Sequence, residues 1–409
     1  MTRTAPFMTC TGPVLPPLRA RFEWSAGDQR AVDTVRVLAA GAVRKAGDGH
    51  PGTAMRLAPA AYTLFHKVMR HDPADADWTG RDRFVLSAGR YSSLTLHIQL
   101  YLAGFGLEPD CLEAFRTWAS KTPAHPEHGH TTGVGTTSDP VGQGVAHAVG
   151  LAVAARYERG LFDPEAAPGT SPFDHYVYAV ADDDCLQEGI CAEASSMAGQ
   201  QKLGNLILLW DDHHLWIEGD TDTDTDTDTG TAISEDTLER YEAYGWHVQR
   251  VRPKNDGDLD PAALYAAIEA AKADTERPSL IAMRSTIAWP APKAQGAEAV
   301  HARSTEAGHG SALGDEEVAA TERVPGFDPE QVFEVPDEVI AHTRGALHRG
   351  AQARTTWEKS FAAWRTANPE RAAEFDRNRV GELPAGREEK LPVFETGPFG
   401  VGDMTKENF

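Results

Sequence analysis

Carboxylates and imidazoles gather in two short stretches of the 409-residue sequence, and a glycine-bearing turn accompanies them. The first stretch is Asp182-Asp183-Asp184-Cys185-Leu186-Gln187-Glu188-Gly189. The second is Trp210-Asp211-Asp212-His213-His214-Leu215. Each directly follows an apolar run, so each reads as the turn after a buried strand. Together they could supply a carboxylate and an imidazole to one metal ion. The turn, Ser138-Asp139-Pro140-Val141-Gly142-Gln143-Gly144, precedes a Gly/Ala-rich stretch. Backbone N–H groups at a helix start offer a seat for phosphate. In a parallel α/β sheet, ligands sit beyond the carboxyl ends of the strands, where all three stretches would fall.

The scaffold that must position them is legible in the periodicity. Asp28 to about Gly47 has the pattern of an amphipathic helix, Asp48–Gly52 breaks it, and a second helical run follows from Met55 to about His71. Val141 to about Tyr157 reads as a further helix, its small residues allowing close packing. Strands are predicted at Phe84–Leu86, within His175–Gly189, and at Asn205–Trp210, Trp246–Val251 and Ser279–Met283. Asp260-Pro261 is an N-cap followed by proline at the first helical position. Strands alternating with helices predict an α/β fold, a mostly parallel sheet with helices on both faces. The expected organisation is an irregular N-terminal arm over 1–25, an α/β domain over 26–327, and a helical connector with an extended C-terminal arm over 328–409. A helix over 339–368 would carry Trp357 and Trp364 on one face. The alternating Asp-Thr repeat inside Gly219–Gly230 reads as an expanded, mobile surface loop. A calcium site needs a turn geometry that such a repeat does not specify.

The net charge of -22, from 61 acidic against 39 basic residues, disfavours nucleic acid and anionic membranes as partners. A local basic cluster could still receive an anionic substrate. Four cysteines without metal-pair spacing, and an N-terminus without an apolar h-region, predict a reduced, cytoplasmic, soluble protein.

Seven ordered motifs carry a family resemblance: DRFVLSAGR, TPAHPE, VGQG, LQEGICAEASSMAG, KLGNLILLWDD, RYEAYGW and AGHGSALG. Together they resemble transketolase, the actinobacterial type most closely, from about Phe22 to Leu391. The resemblance implies a thiamine-diphosphate-binding fold, here the diphosphate-binding domain and its connector. It implies transfer of a two-carbon ketol unit from a ketose donor to an aldose acceptor, with sugars or sugar phosphates as substrates. The chain stops at Phe409, before the family's pyrimidine-binding domain. A separate C-terminal subunit carrying that domain is therefore expected, in an α2β2 assembly. The alternatives are a subunit of a 2-oxo-acid-decarboxylating, acyloin-forming synthase and a catalytically inactive paralogue.

By motif, the resemblance implies that Asp183 and the residue at position 213 bind Mg2+ through their side chains and Leu215 through its carbonyl. Gly142 and Asp184 would lie beside the diphosphate. Glu188 would sit near the subunit interface and couple two cofactor sites, with Glu193 in the same network. His50, His125 and His309 would line the substrate channel, bind sugar hydroxyls and assist proton transfer.

Several positions depart from the family pattern. Asp182-Asp183-Asp184 replaces Gly-Asp-Gly or Ser-Asp-Gly. His213 replaces an asparagine, which suits Mn2+ or another borderline ion better than Mg2+, or leaves the shell to a water molecule. Asp139 replaces a glycine, Arg90 a histidine that touches cofactor and donor, and Arg56 a serine. The new arginines and aspartates could pair with one another or reshape the donor pocket. The implied enzyme is a specialised, biosynthetic transketolase-like one.

Overall fold

The computed structural model describes residues 22–138, 140–167, 169–213, 215–216, 219–220, 235–284, 286–292 and 313–391. The first helix, α1 (Ala26–Ala46), begins with a reciprocal cap. Ser25 Oγ accepts the Asp28 N–H, and Asp28 accepts the Ser25 N–H at 2.8 Å. The helix ends at Gly47, whose φ of 70° closes it in the left-handed region. Asp48–His50 then turns the chain, and α2 (Pro51–Arg56) starts at once. The proline read as a breaker is thus the first residue of a helix, where its missing N–H costs nothing. α3 (Ala58–Thr63) and one wide turn, Leu64–Val68, continue to Met69.

The strands are β1 (Arg83–Leu86), β2 (Val177–Asp182), β3 (Leu206–Asp212), the short pair β4 (Leu215–Trp216) and β5 (Gly219–Asp220), β6 (His247–Val251) and β7 (Ser279–Arg284). Five of them form a wholly parallel sheet in the order β1-β2-β3-β7-β6. β2 and β3 are buried along their whole length, which accounts for their unbroken apolar runs. One face packs on α1–α3, α4 (Gly89–Ala103) and α10 (Pro261–Ala273), through residues such as Val35, Met55, Ile98, Leu209 and Ile268. The other face packs on α6 (Gln143–Phe162), α8 (Gly189–Gln200) and α9 (Thr237–Ala243), through Val149, Leu208, Tyr241 and Trp246. Asp260 caps α10 as expected, accepting the N–H groups of Ala262 and Ala263.

β4 and β5 form an antiparallel hairpin, so the first two residues of the segment read as a loop are paired. Residues 221–230 lie outside the described residues. Among the described residues Cys111, Cys185 and Cys191 are free thiols, and no helix is long and apolar enough to cross a membrane.

The chain divides into two compact units, 1–360 and 361–409. In the first, the Trp357 indole N–H donates to the Pro172 carbonyl and its ring meets Trp78 edge-on. In the second, Trp364 packs with Phe361 and Phe375. The arm expected to be extended contains a helix, Pro369–Arg379, with proline at its start and Arg377 and Arg379 in its last turn.

Candidate functional site

Three turns meet at the carboxyl end of the sheet. β1 ends at Leu86, and Ser138 Oγ donates to the Leu86 carbonyl. The glycines of Gly142-Gln143-Gly144 are dictated by contact. A Cβ on Gly144 would lie 2.4 Å from Ser87 Cα, and one on Gly142 would lie 2.5 Å from Glu188 Cβ. Gly142 also has a φ of 79°, which glycine adopts without strain. The Ser138–Gly144 turn therefore nests between the end of β1 and the segment after β2.

That segment is a short helix, α7 (Asp183–Gln187), with Asp182 as its N-cap. Asp182 turns its carboxylate back onto the Cys185 N–H at 2.9 Å. This substitution caps the turn it belongs to, and a capping role was not evident from the motif alone. Asp183 is 4% exposed. Its Oδ1 accepts the Trp210 indole N–H at 2.7 Å, and its Oδ2 lies 3.1 Å from His213 Nδ1.

The residues from Trp210 to His213 each find a partner. Trp210 reaches Asp183 across the β2–β3 boundary. Asp211 meets Arg56, whose Nη2 is 2.8 Å from the carboxylate and also donates to the carbonyls of Asp212 and Met283. Asp212 meets its β7 neighbour Arg284 at 3.2 Å. The pairing of new arginines with new aspartates does not extend to Arg56, which binds Asp211 instead.

Electrostatics follow from burial. Asp211 is pushed up to about 6 by burial, with the Arg56 guanidinium opposing the rise. Asp184, half-buried beside Asp182, rises to about 7, mainly through burial and then through that neighbouring charge. Its charge is therefore partly quenched near neutral pH. Burial alone would lower the His213 imidazole. The adjacent Asp183 carboxylate, helped by Asp211, reverses the sign and holds it at about 9. Arg56 is lowered by burial, against the pull of Asp211, Asp212 and Asp183.

The remaining expected residues take these places. His50 is half-buried and precedes α2; Gly52, two residues on, accepts the Ala288 N–H at 3.3 Å, which ties this turn to the loop after β7. His125 is half-buried, and its neighbour Pro126 accepts the Ser138 N–H at 3.4 Å. Glu188 and Glu193 are exposed, at the start and on the surface of α8. Leu215 follows in the β4–β5 hairpin, which passes beside α7. His309, Asp139 and the Arg90 side chain lie outside the described residues. Arg284 had no place among the expected site residues, and Trp210 was expected only as the last core residue of the apolar run that leads into Asp211 and Asp212.

Residues 27–384 match the family model described as Transketolase, thiamine diphosphate binding domain. A transketolase of Mycobacterium tuberculosis is 54% identical over 374 residues, covering 91% of this chain and 50% of the relative. One from Halalkalibacterium halodurans is 42% identical, covering 90% and 52%. Among solved structures, a transketolase from Pichia stipitis superposes with a TM-score of 0.80 at 39% identity, covering 90% of this chain and 51% of that one. The transketolase from Leishmania mexicana gives 0.80 at 36%, covering 91% and 52%. The chain spans about half the length of the relatives it matches.

Thiamine diphosphate with its Mg2+ is the defining cofactor of the matched family, and the residues present fit such a group. Asp183 Oδ2 and His213 Nδ1 stand 3.1 Å apart as a hydrogen-bonded ion pair, so a cation held by both would replace the proton they share. Among the described residues, no group of three or more His, Cys, Asp or Glu side chains converges as a metal site.

Proposed function

The chain belongs to the transketolase family, and from that premise we propose that it is the diphosphate-binding subunit of a ketol-transferring enzyme. The single observation that carries this reading is the buried Asp183–His213 pair, whose α7 segment the Gly142 turn packs against at Cys185 and Glu188. When bound, thiamine diphosphate supplies the carbon nucleophile that accepts a two-carbon unit from a ketose and passes it to an aldose. In this reading Asp183, His213 and the Leu215 carbonyl hold the cation. The imidazole nitrogen widens the choice from Mg2+ to Mn2+ or another borderline ion. The turn around Gly142 would hold the diphosphate, with Asp184 and Arg90 contributing to the same site. His50, His125 and His309 orient sugar hydroxyls and exchange protons with them, which imidazole does well near neutrality.

The pyrimidine-binding domain is assigned to a separate chain, in an α2β2 assembly. Support comes from the outer face of α6 and α8. Val153, Tyr157, Ile190 and Met197 are exposed there, beside Glu188 and Glu193. Large apolar side chains exposed on two helices that pack together suit a surface for a partner. Glu188, touching the Gly142 turn, would link that interface to the cofactor.

The test is to purify the chain with the pyrimidine-domain chain and titrate thiamine diphosphate with Mg2+, with Mn2+ and without metal. Metal-dependent uptake, followed by ketol transfer from a sugar phosphate, is expected. Absence of uptake in all three conditions sinks the reading. Uptake accompanied by CO2 release from a 2-oxo acid, without ketol transfer, replaces it with the decarboxylating reading.

A further inference from the structure

His125 sits in a stretch, Pro123-Ala124-His125-Pro126, that has little backbone with which to hold itself. Proline has no N–H, so only Ala124 and His125 can donate. The placement of this stretch therefore depends on carbonyls that accept from elsewhere. The Ser120 carbonyl accepts from His130 Nε2 at 2.7 Å, that of Lys121 from Thr131 Oγ1 at 2.7 Å, and that of Thr122 from the Arg116 N–H at 3.1 Å. These donors belong to the same connection between α4 and α6. The next carbonyl, of Pro123, accepts from His97 Nε2 at 3.0 Å, and His97 stands on the core helix α4. Beyond His125, the Pro126 carbonyl accepts the Ser138 N–H at 3.4 Å, and Ser138 opens the turn that leads to Gly142. The helix thus meets this part of the chain twice. A Cβ on Gly89, at its start, would lie 2.3 Å from the Ser138 carbonyl oxygen, and His97 holds Pro123 about two turns further on.

An imidazole is unfavourable where His97 stands. The side chain is wholly buried. Burial pushes it down to about 4, against the pull of the Pro123 bond, so the ring is neutral near pH 7. A neutral ring that donates from Nε2 keeps a lone pair on Nδ1. That nitrogen is buried and has no hydrogen-bond partner among the described residues. Phenylalanine or leucine would leave no such unmet acceptor in the helix. What the imidazole adds is the bond to Pro123. We infer that His97 is a positioning residue, which holds Pro123 so that His125 keeps a fixed place beside the Ser138–Gly144 turn. The inference rests on the substrate role proposed above for His125. Being wholly buried, His97 acts only through the segment it holds.

The experiment uses the full chain in its native assembly with thiamine diphosphate and Mg2+. It combines ketol-transfer kinetics with amide hydrogen exchange, read by mass spectrometry over residues 120–128. His97→Phe and His97→Leu remove the donor, and His97→Gln keeps one as an amide N–H. In the donor-free variants, exchange over 120–128 is expected to rise about tenfold, the size of one hydrogen bond, with β2 and β3 unchanged. The KM for a ketose phosphate should rise by about as much while cofactor uptake stays the same, and His97→Gln should restore both. In a His125→Gln background the effect of His97→Phe on KM should vanish. Unchanged exchange or unchanged KM overturns the proposal. So does an equal loss of cofactor uptake, or faster exchange throughout the chain, either of which marks a purely structural role. Failure of both donor-free variants to fold, where His97→Gln folds, overturns it in the same way. A His125→Gln protein with unaltered KM and kcat overturns the substrate role of His125 itself, and this proposal with it.

Discussion

The two ends of the same sheet bury carboxylates equally well and treat them differently. At the amino end, Asp82 and Asp174 are 5% and 1% exposed; at the carboxyl end, Asp183 and Asp211 are 4% and 1%. Asp82 accepts the backbone N–H groups of Arg70 and Tyr176 at 2.8 and 2.9 Å. Asp174 accepts from the Ser171 N–H and from Arg159 at 2.9 Å. Each of those acids accepts at least one backbone N–H, with Arg159 added at Asp174, and together they hold the entry of β1 and β2 in place. At the carboxyl end the acids crowd one another and depend on side chains. Burial and mutual repulsion push Asp182, Asp184 and Asp211 upward. A closed network stabilises, whereas a crowded one stores repulsion among its acids.

The sharpest way to break this comparison is Arg56→Ser. It strands the buried Asp211 carboxylate and should cost about 3–5 kcal/mol in chemical denaturation. Arg56→Ser with Asp211→Asn removes both charges and should recover most of that. If the double variant is no better than the single, the pair is not what holds the β3 end to β7.

Asp82→Ala tests the opposite end. Two backbone N–H groups lose their acceptor, for a loss of roughly 2–3 kcal/mol, while cofactor uptake per folded molecule stays unchanged. A selective loss of uptake would mean the two ends are not separable.

A pH series comes next in size. His213 is held up to about 9 from an ordinary value of 6.5. Its raised value stabilises the folded chain fully below about 6.5, and this contribution disappears as pH rises through about 9. His213→Asn should therefore flatten the stability curve between those limits, removing a decline of roughly 1–3 kcal/mol. In the cofactor complex the same variant should abolish any imidazole nitrogen coupling in the spin-echo spectrum of bound Mn2+. Persistence of that coupling would assign the nitrogen to another residue.

The smallest effect is expected outside the sheet. Tyr157→Ala, on the exposed face of α6, should change the stability of the isolated chain by less than about 0.5 kcal/mol. It should weaken assembly with the pyrimidine-domain chain, measured by sedimentation. Unaltered assembly would remove that face from the interface.

Much of the scaffold could be read before the structure because its signals are local. Leu206–Trp210 is apolar on both faces and had to be a central strand. Asp260-Pro261 had to open a helix. Asp183 and His213, which the family motifs place at one cation, stand 3.1 Å apart as an ion pair. What escaped depends on which strand ends are neighbours. Arg56 finds Asp211 and the Met283 carbonyl only because β3 and β7 lie side by side. Trp210 shows in sequence as bulk, and its single polar atom matters only once β2 places Asp183 beside it. Pro51 was misread because proline breaks a helix from within and begins one from its first position.

The four consecutive residues Trp210, Asp211, Asp212 and His213 answer to Asp183, Arg56, Arg284 and Asp183 again. Successive strand residues point to opposite faces, so gaining or losing one residue here would exchange every partner at once. This segment can therefore evolve by substitution in matched sets and not by changes in length. In a library randomised at these positions, survivors should inherit Arg56 together with Asp211, as two letters of one word.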